Sequence, residues 1–340
     1  MAGTRTAGTQ PGAGSYGRTL AWRALAAFLL ASGLAGGARA SEVERSLTMP
    51  SRILGKPLRF SVYFPDGYAQ RKDGPYPVLF LLHGTDGNEN DWLDLGHLQQ
   101  TADDLIRRGK IPPMLIVTPD AGNSWYVDNA DAGRGGLYAS AFLGELVPFV
   151  DARFDTVGDR RGRAIAGLSM GGFGALRLVL ARPDLFVAAA SLSGALFMPD
   201  EPLTPADIAD LHGAFGTPFE RARLERNDPF RMLGGLACAE APAIYLASGA
   251  QDGFRLDEAT ASFYLALKRA GIPSSLRIRS GGHDWKFWSD ELGPTLRFIA
   301  RAFAGNAVPK PPRAAGAASD RRCEPTGAGD KPVLTSASRQ

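Results

Sequence analysis

A mainly parallel β-sheet with helices on both faces is the fold class that the sequence predicts, an α/β architecture carrying a small cap-like insertion. Three observations predict it. Short apolar runs bounded by turn residues recur along the chain, most of them near-continuous rather than alternating, as strands covered on both faces read. Helical patterns fall between these runs, and alternation of that kind gives parallel strands joined by crossovers. One segment breaks the alternation and reads as the insertion.

In chain order, the run at 58–64 is hairpin-like and predicts antiparallel strands at one edge of the sheet. Residues 77–82 and 113–118 predict the next two strands, with a helix at 98–108 between them. A helical pattern at 138–151 leads to a strand at 164–168 and a helix at 172–181. Strands follow at 187–191, 243–247 and 275–278, with helices at 257–270 and 289–303. Residues 196–233, rich in Pro, Asp and Phe, predict a small cap over the carboxyl edge of the sheet.

The two ends differ from this pattern. The first 40 residues hold Arg5, Arg18, Arg23 and Arg39 and no acid, and a mostly apolar stretch at 24–34 leads to Ala38-Arg39-Ala40. A basic start, a short apolar stretch and a small-x-small exit predict an export signal cut after Ala40. The apolar stretch is too short to span a bilayer, so export to the periplasm or the exterior is expected, without stable membrane insertion afterwards. Beyond 305 the composition collapses into Pro, Ala, Gly, Ser and Arg, the signature of a disordered tail. The expected organisation is a signal at 1–40, one folded domain at 41–304 and a tail at 305–340.

Composition excludes several function classes. The chain has 38 Lys+Arg against 35 Asp+Glu, and removing the signal leaves 34 against 35, close to neutral. Neither that balance nor a short basic cluster such as Arg160-Arg161-Gly162-Arg163 predicts a nucleic-acid track. Cys238 and Cys323 fit no metal spacing, and their pairing stays open. The four histidines are scattered, so no metal is predicted. Gly172-Phe173-Gly174 fails the dinucleotide fingerprint because Arg177 stands where the third glycine belongs, and no phosphate-loop G-K-[ST] is present. No cofactor is implied.

The chemistry concentrates at Gly167-Leu168-Ser169-Met170-Gly171, a G-x-S-x-G between an apolar strand pattern and a helix. That order puts Ser169 on a sharp strand-to-helix turn, with its hydroxyl exposed above the sheet and the helix N-terminus facing it. On such a sheet the partners follow in the order Ser, acid, His. Of the two histidines after Ser169, His212 sits inside the insertion. His283 sits in Gly281-Gly282-His283-Asp284-Trp285, after a strand and before the last helix, where a base reaches back over the sheet edge. Twelve carboxylates separate Ser169 from His283, so position must select the acid. Asp252 lies in the turn at the carboxyl end of the strand at 243–247, where open α/β sheets place reactive groups. Asp257 and Glu258 are the rivals, in the first turn of the next helix, and Asp284 is adjacent to the base itself.

An attacked carbonyl also needs donors for its oxyanion. The backbone N–H of Met170 follows the serine directly, and the second donor is expected from the loop His83-Gly84-Thr85-Asp86-Gly87, with the Thr85 N–H as candidate. His83 is expected to shape that loop by hydrogen bonding. Trp125 and Tyr126, after a strand end, and Trp285 are candidate substrate walls, with Trp288 and Phe197 as further ones.

Three stretches, Tyr76 to Trp92, Ala164 to Gly174 and Gly281 to Trp288, resemble the esterase D-type branch of the α/β-hydrolases over about residues 53–303. That branch holds feruloyl and other carbohydrate esterases, enterochelin-type siderophore esterases, S-formylglutathione hydrolases and secreted mycolyltransferases. The resemblance implies the α/β-hydrolase fold, with Ser169 as nucleophile, Asp252 as acid, His283 as base, and Thr85 and Met170 as oxyanion donors. The formylglutathione enzymes are usually cytosolic, unlike a chain with an export signal. The mycolyltransferases usually carry D-G where this chain has His83-Gly84, and often Glu where Asp252 stands. The expected function is an exported serine hydrolase acting on small-molecule or carbohydrate esters. Acyl transfer to a sugar or lipid hydroxyl is the alternative, and a non-catalytic binding module on the same scaffold is the remaining one.

Overall fold

The computed structural model describes residues 41–70, 73–129, 136–198, 201–236 and 241–305. The expected signal at 1–40, the expected tail past residue 305, Cys238 and Cys323 lie outside the described residues. Among the described residues eight strands form one sheet: β1 (Glu42–Pro50), β2 (Pro57–Phe64), β3 (Val78–Leu82), β4 (Leu115–Pro119), β5 (Arg163–Leu168), β6 (Ala188–Leu192), β7 (Ala243–Gly249) and β8 (Ser274–Arg279). Their spatial order is β1-β2-β4-β3-β5-β6-β7-β8. The pairings β1/β2 and β2/β4 are antiparallel and all later ones are parallel, which is the predicted α/β-hydrolase arrangement with its antiparallel edge.

Side chains alternate between the faces of a strand, so a near-continuous apolar strand feeds two cores. β3 sends Val78, Phe80 and Leu82 to one side and Leu79 and Leu81 to the other. The first side packs against helices Met170–Ala181 and Leu256–Arg269 through Phe173, Leu176, Phe263 and Leu267. The second packs against helices Leu98–Arg107 and Trp285–Phe303 through Leu98, Leu105, Leu292 and Phe298. On that second side β5 and β6 present Ala164, Ala166, Ala188 and Ala190, and these small side chains leave room for the long last helix. Each fully buried Leu or Phe in these layers contributes about 1.5–3 kcal/mol of transfer free energy.

Three elements differ from the sequence-based expectation, each for a local reason. β1 was not expected: only Met49 is buried along it, and a bulge between Glu44 and Leu47 breaks the alternation that marks a strand. The helix expected at 138–151 is present as Tyr138–Ala141 and Val147–Arg153, with the π-helical turn Phe142–Leu146 between them. The last helix begins at Trp285 rather than at 289, because the Asp284 carboxylate accepts the Phe287 N–H at 2.8 Å and caps it. The insertion between β6 and β7 contains the short helices Pro205–Asp210, Arg221–Asn227 and Pro229–Met232.

A buried carboxylate ties the last helix to β7 and β8, the strands that precede Asp252 and His283. Glu291 is fully buried and accepts hydrogen bonds from the Tyr245 hydroxyl of β7, from Arg277 Nε at 3.2 Å and from Arg279 Nε at 3.0 Å on β8. Burial and the neighbouring carboxylate push the Tyr245 phenol well above its ordinary pKa, so it stays a donor. Removing one partner of a buried ion pair costs roughly 3–5 kcal/mol, and here the arginines reach solvent, which reduces the penalty. Glu291→Ala is therefore expected to lower unfolding free energy by about 3 kcal/mol in urea titrations, and Glu291→Gln, which keeps an acceptor for Tyr245, by less.

Candidate active site

Ser169 follows β5 directly and precedes the helix Met170–Ala181, with φ 51° and ψ −121°. Such a backbone costs a non-glycine residue on the order of 1–3 kcal/mol and persists only where its surroundings hold it. They do so here: the Ser169 N–H donates to the Leu192 carbonyl at 2.9 Å, and its carbonyl accepts from Phe173 at 3.0 Å and Ala195 at 3.1 Å. Gly171 makes the turn possible, since a Cβ there would lie 2.5 Å from the His83 carbonyl oxygen and 2.7 Å from that of Leu82. The turn thus sits tight against the end of β3, where the loop 83–87 begins.

The other two groups come from the exits of β7 and β8. Gly249, at the end of β7, lies against the backbone of Gly281, so close that a Cβ would collide with its carbonyl. Gln251 knits the loops further: its N–H donates to the Gly281 carbonyl at 3.0 Å and its side-chain oxygen accepts the Gly281 N–H at 2.9 Å. Asp252 and His283 are held in register by these bonds. His283 Nδ1–H donates to Asp252 Oδ2 at 2.8 Å, and the Ser169 hydroxyl donates to His283 Nε2 at 3.0 Å. The second carboxylate oxygen of Asp252 accepts the Phe254 N–H at 3.0 Å. The Asp252 side chain is fully buried and His283 nearly so, at 0% and 15% exposed, so solvent competes little for these bonds.

The rival carboxylates lie outside this relay. Asp257 and Glu258 fall in the first turn of the helix Leu256–Arg269, and Glu258 pairs with Arg255 at 2.6 Å. Asp284 caps the last helix. His212 lines the cavity from the insertion, with Nδ1 at 3.5 Å from Asn123 Nδ2. His83 is buried and shapes its loop, as expected of it: Nδ1–H donates to the Gly84 carbonyl at 2.7 Å and Nε2 accepts the Ala121 N–H at 2.9 Å. Burial holds its pKa below the ordinary value, which keeps the ring neutral and able to do both.

Ser169 and His283 open into a cavity of about 630 Å³. Gly84 and Thr85 line it beside the serine, Trp125, Phe197 and Leu211 form an apolar wall shared with the insertion, and Phe254, Trp285 and Trp288 stand near the imidazole. Phe254 and Trp288 meet the His283 ring edge-on, each 4.9 Å away between centroids. Met170, fully buried, is the first residue of its helix, where N–H groups have no intrahelical acceptor. Tyr126 requires a correction. It is fully buried outside the cavity, and its hydroxyl donates to the His83 carbonyl at 3.0 Å, so it supports the loop instead of touching a ligand. Phe254, 66% exposed at the mouth, was not foreseen; its only signal was its place two residues after Asp252. Among the described residues no group of three or more His, Cys, Asp or Glu side chains is arranged to hold a metal ion, and no helix is long and apolar enough to cross a membrane.

Comparison with known proteins bears directly on this geometry. The model of the family described as "Putative esterase" matches residues 51–299, which spans all strands but the first and every residue of the site. The chain belongs to the esterase family. An endo-1,4-beta-xylanase/feruloyl esterase of Xylanibacter ruminicola is 34% identical over 168 residues, 48% of this chain and 23% of that protein. An acetyl esterase of Caldicellulosiruptor saccharolyticus is 31% identical over 236 residues, 66% of this chain and 81% of that one. Among solved structures, a ferulic acid esterase superposes with a TM-score of 0.66 at 32% identity, covering 78% of this chain and 99% of its own. The fold of a ferulic acid esterase is thus shared over 78% of this chain, whereas the alignment covers less than a quarter of the first of these relatives.

Proposed function

We propose that this esterase-family protein is an exported serine carboxylic-ester hydrolase that works through an acyl-enzyme on Ser169. The observation that carries the reading is the unbroken hydrogen-bond relay from Asp252 through His283 to Ser169, at 2.8 and 3.0 Å, opening on a cavity. In this reading His283 Nε2 takes the hydroxyl proton as Ser169 Oγ attacks the ester carbonyl carbon. Asp252 holds the ring in the tautomer that accepts that proton and stabilises the imidazolium that results. The carbonyl oxygen becomes an oxyanion and receives the N–H groups of Met170 and Thr85. Collapse of the tetrahedral species breaks the bond to the alcohol, which leaves with the proton from His283. A water molecule, deprotonated by the same nitrogen, then attacks the acyl carbon and restores the serine.

The apolar walls at Trp125 and Trp285 suit an ester with an aromatic or otherwise bulky half, and the names of the relatives, feruloyl esterase and acetyl esterase, favour carbohydrate-linked esters. Export rests on the sequence pattern of residues 1–40, and residues 41–304 form the catalytic domain in this reading. An alcohol that intercepts the acyl-enzyme would make the protein a transferase instead. Partitioning tests the point: with p-nitrophenyl acetate and trehalose both present, free acetate is the expected product. Acetylated sugar formed faster than acetate would replace hydrolysis by transfer. Absence of any turnover over a panel of aryl, acetyl and feruloyl esters, with no labelling by a fluorophosphonate, would leave only a binding module.

A further inference from the structure

Two loops meet beside Ser169 at the carboxyl edge of the sheet, residues 83–87 after β3 and 120–125 after β4. Thr85, the expected oxyanion donor, lies between two peptide units, and each is held by a different partner. The first unit joins Gly84 to Thr85. Its carbonyl accepts from His83 Nδ1 at 2.7 Å and from the Gly87 N–H at 3.2 Å. In a trans peptide the N–H points opposite to the C=O, so these bonds turn the Thr85 N–H away from the His83 ring. No acceptor for that N–H is present among the described residues, and a Cβ on Gly84 would lie 3.4 Å from the Ser169 Cβ.

The second unit joins Thr85 to Asp86, and Asn123 holds it. Asp86 N–H donates to Asn123 Oδ1 at 2.8 Å, while Asn123 Nδ2 donates to Asp86 Oδ1 at 2.7 Å. One amide side chain thereby closes a ring on both the backbone and the carboxylate of a single residue. Asp86 needs such support, because it adopts φ 58°, a left-handed conformation that a non-glycine residue holds only at a cost. The same Nδ2 lies 3.5 Å from His212 Nδ1 of the insertion.

We propose that Asn123 is a positioning residue for the oxyanion hole: by clamping the peptide after Thr85, it fixes the aim of the Thr85 N–H at the oxygen of the attacked carbonyl. The proposal rests on the reading of Ser169 and Thr85 given above. Deleting an oxyanion donor costs about 10²–10³ in kcat, and a donor that is present but loosely aimed should cost less. Asn123→Ala is expected to lower kcat for p-nitrophenyl acetate by about 10-fold to 100-fold while changing KM by less than about 3-fold, because the donor acts on the transition state. Asn123→Asp alone sets two carboxylates against each other and should do worse. The double variant Asp86→Asn/Asn123→Asp exchanges donor and acceptor: the new carboxylate accepts both the residue-86 N–H and the new amide, so kcat should return to within about 5-fold of the parent.

Melting curves confirm that each variant is folded, and if Asn123→Ala is not, the comparison of Asn123→Asp with the double variant carries the test. An unchanged kcat in Asn123→Ala, or a loss that appears in KM and is not restored by the exchange, overturns the proposal. Ser169→Ala, assayed alongside, separates the two claims. An inactive Ser169→Ala with a normal Asn123→Ala removes only the role of Asn123, whereas an active Ser169→Ala removes the reading beneath it.

Discussion

Ser169→Ala is expected to lower turnover of a p-nitrophenyl acetate-type ester by a factor on the order of 10⁶, with the fold and the cavity unchanged. The size of the effect follows from what the hydroxyl does. In the proposed mechanism no acyl-enzyme forms without it, and His283 and the proposed oxyanion donors retain only the residual acceleration that binding and electrostatics supply. The substitution should also be gentle on stability. Alanine removes one partly exposed oxygen, while the bonds that hold the turn, from Ser169 N–H to Leu192 and from Phe173 and Ala195 to the Ser169 carbonyl, are made by the backbone. Parallel circular dichroism and melting curves check this. Activity within ten-fold of the parent would move the nucleophile elsewhere.

Asp252→Asn carries the second largest expected effect, a fall of about 10⁴ in kcat. The two oxygens of Asp252 serve different donors, Oδ1 the Phe254 N–H and Oδ2 the His283 Nδ1–H. An asparagine has one oxygen for these two donors. The Phe254 N–H, fixed in direction by the backbone, claims it, which leaves the amide NH₂ facing Nδ1. Imidazole can turn to the other tautomer and accept there, but its proton then sits on Nε2, facing Ser169 Oγ, and the base can no longer take the hydroxyl proton. The loss should appear in kcat with the protein still folded. A fall of less than ten-fold would show that another carboxylate, Asp257 or Glu258, orients the ring during turnover.

The chain discloses its doubly covered strands plainly, because strands covered on both faces must be apolar almost without interruption. β5 and β6 read that way at once. β1 does not: Glu42, Glu44 and Arg45 reach solvent, and the bulge shifts Leu47 out of phase. The order of Ser169, Asp252 and His283 was legible because strand ends and glycine-flanked loops are visible in sequence. What ties those loops together was not legible. The bonds between Gln251 and Gly281, and between Asn123 and Asp86, join residues distant in sequence through side chains with no period or motif. Trp125 and Tyr126 show the limit most clearly. Both residues have φ 54°, and this pair of left-handed backbones sends one ring to the cavity and the other beneath the loop. No pattern of apolar residues encodes that choice.

Rapid acid quench during turnover of a p-nitrophenyl ester, followed by peptide mass mapping, tests the covalent step at its source. The account predicts a burst of nitrophenol close to one equivalent per enzyme wherever deacylation is the slower step, and an acyl group on the peptide containing Ser169. The same label should be absent from Ser169→Ala. An acyl group found on a different residue, or a burst of nitrophenol with no acyl-peptide at any quench time, would contradict it.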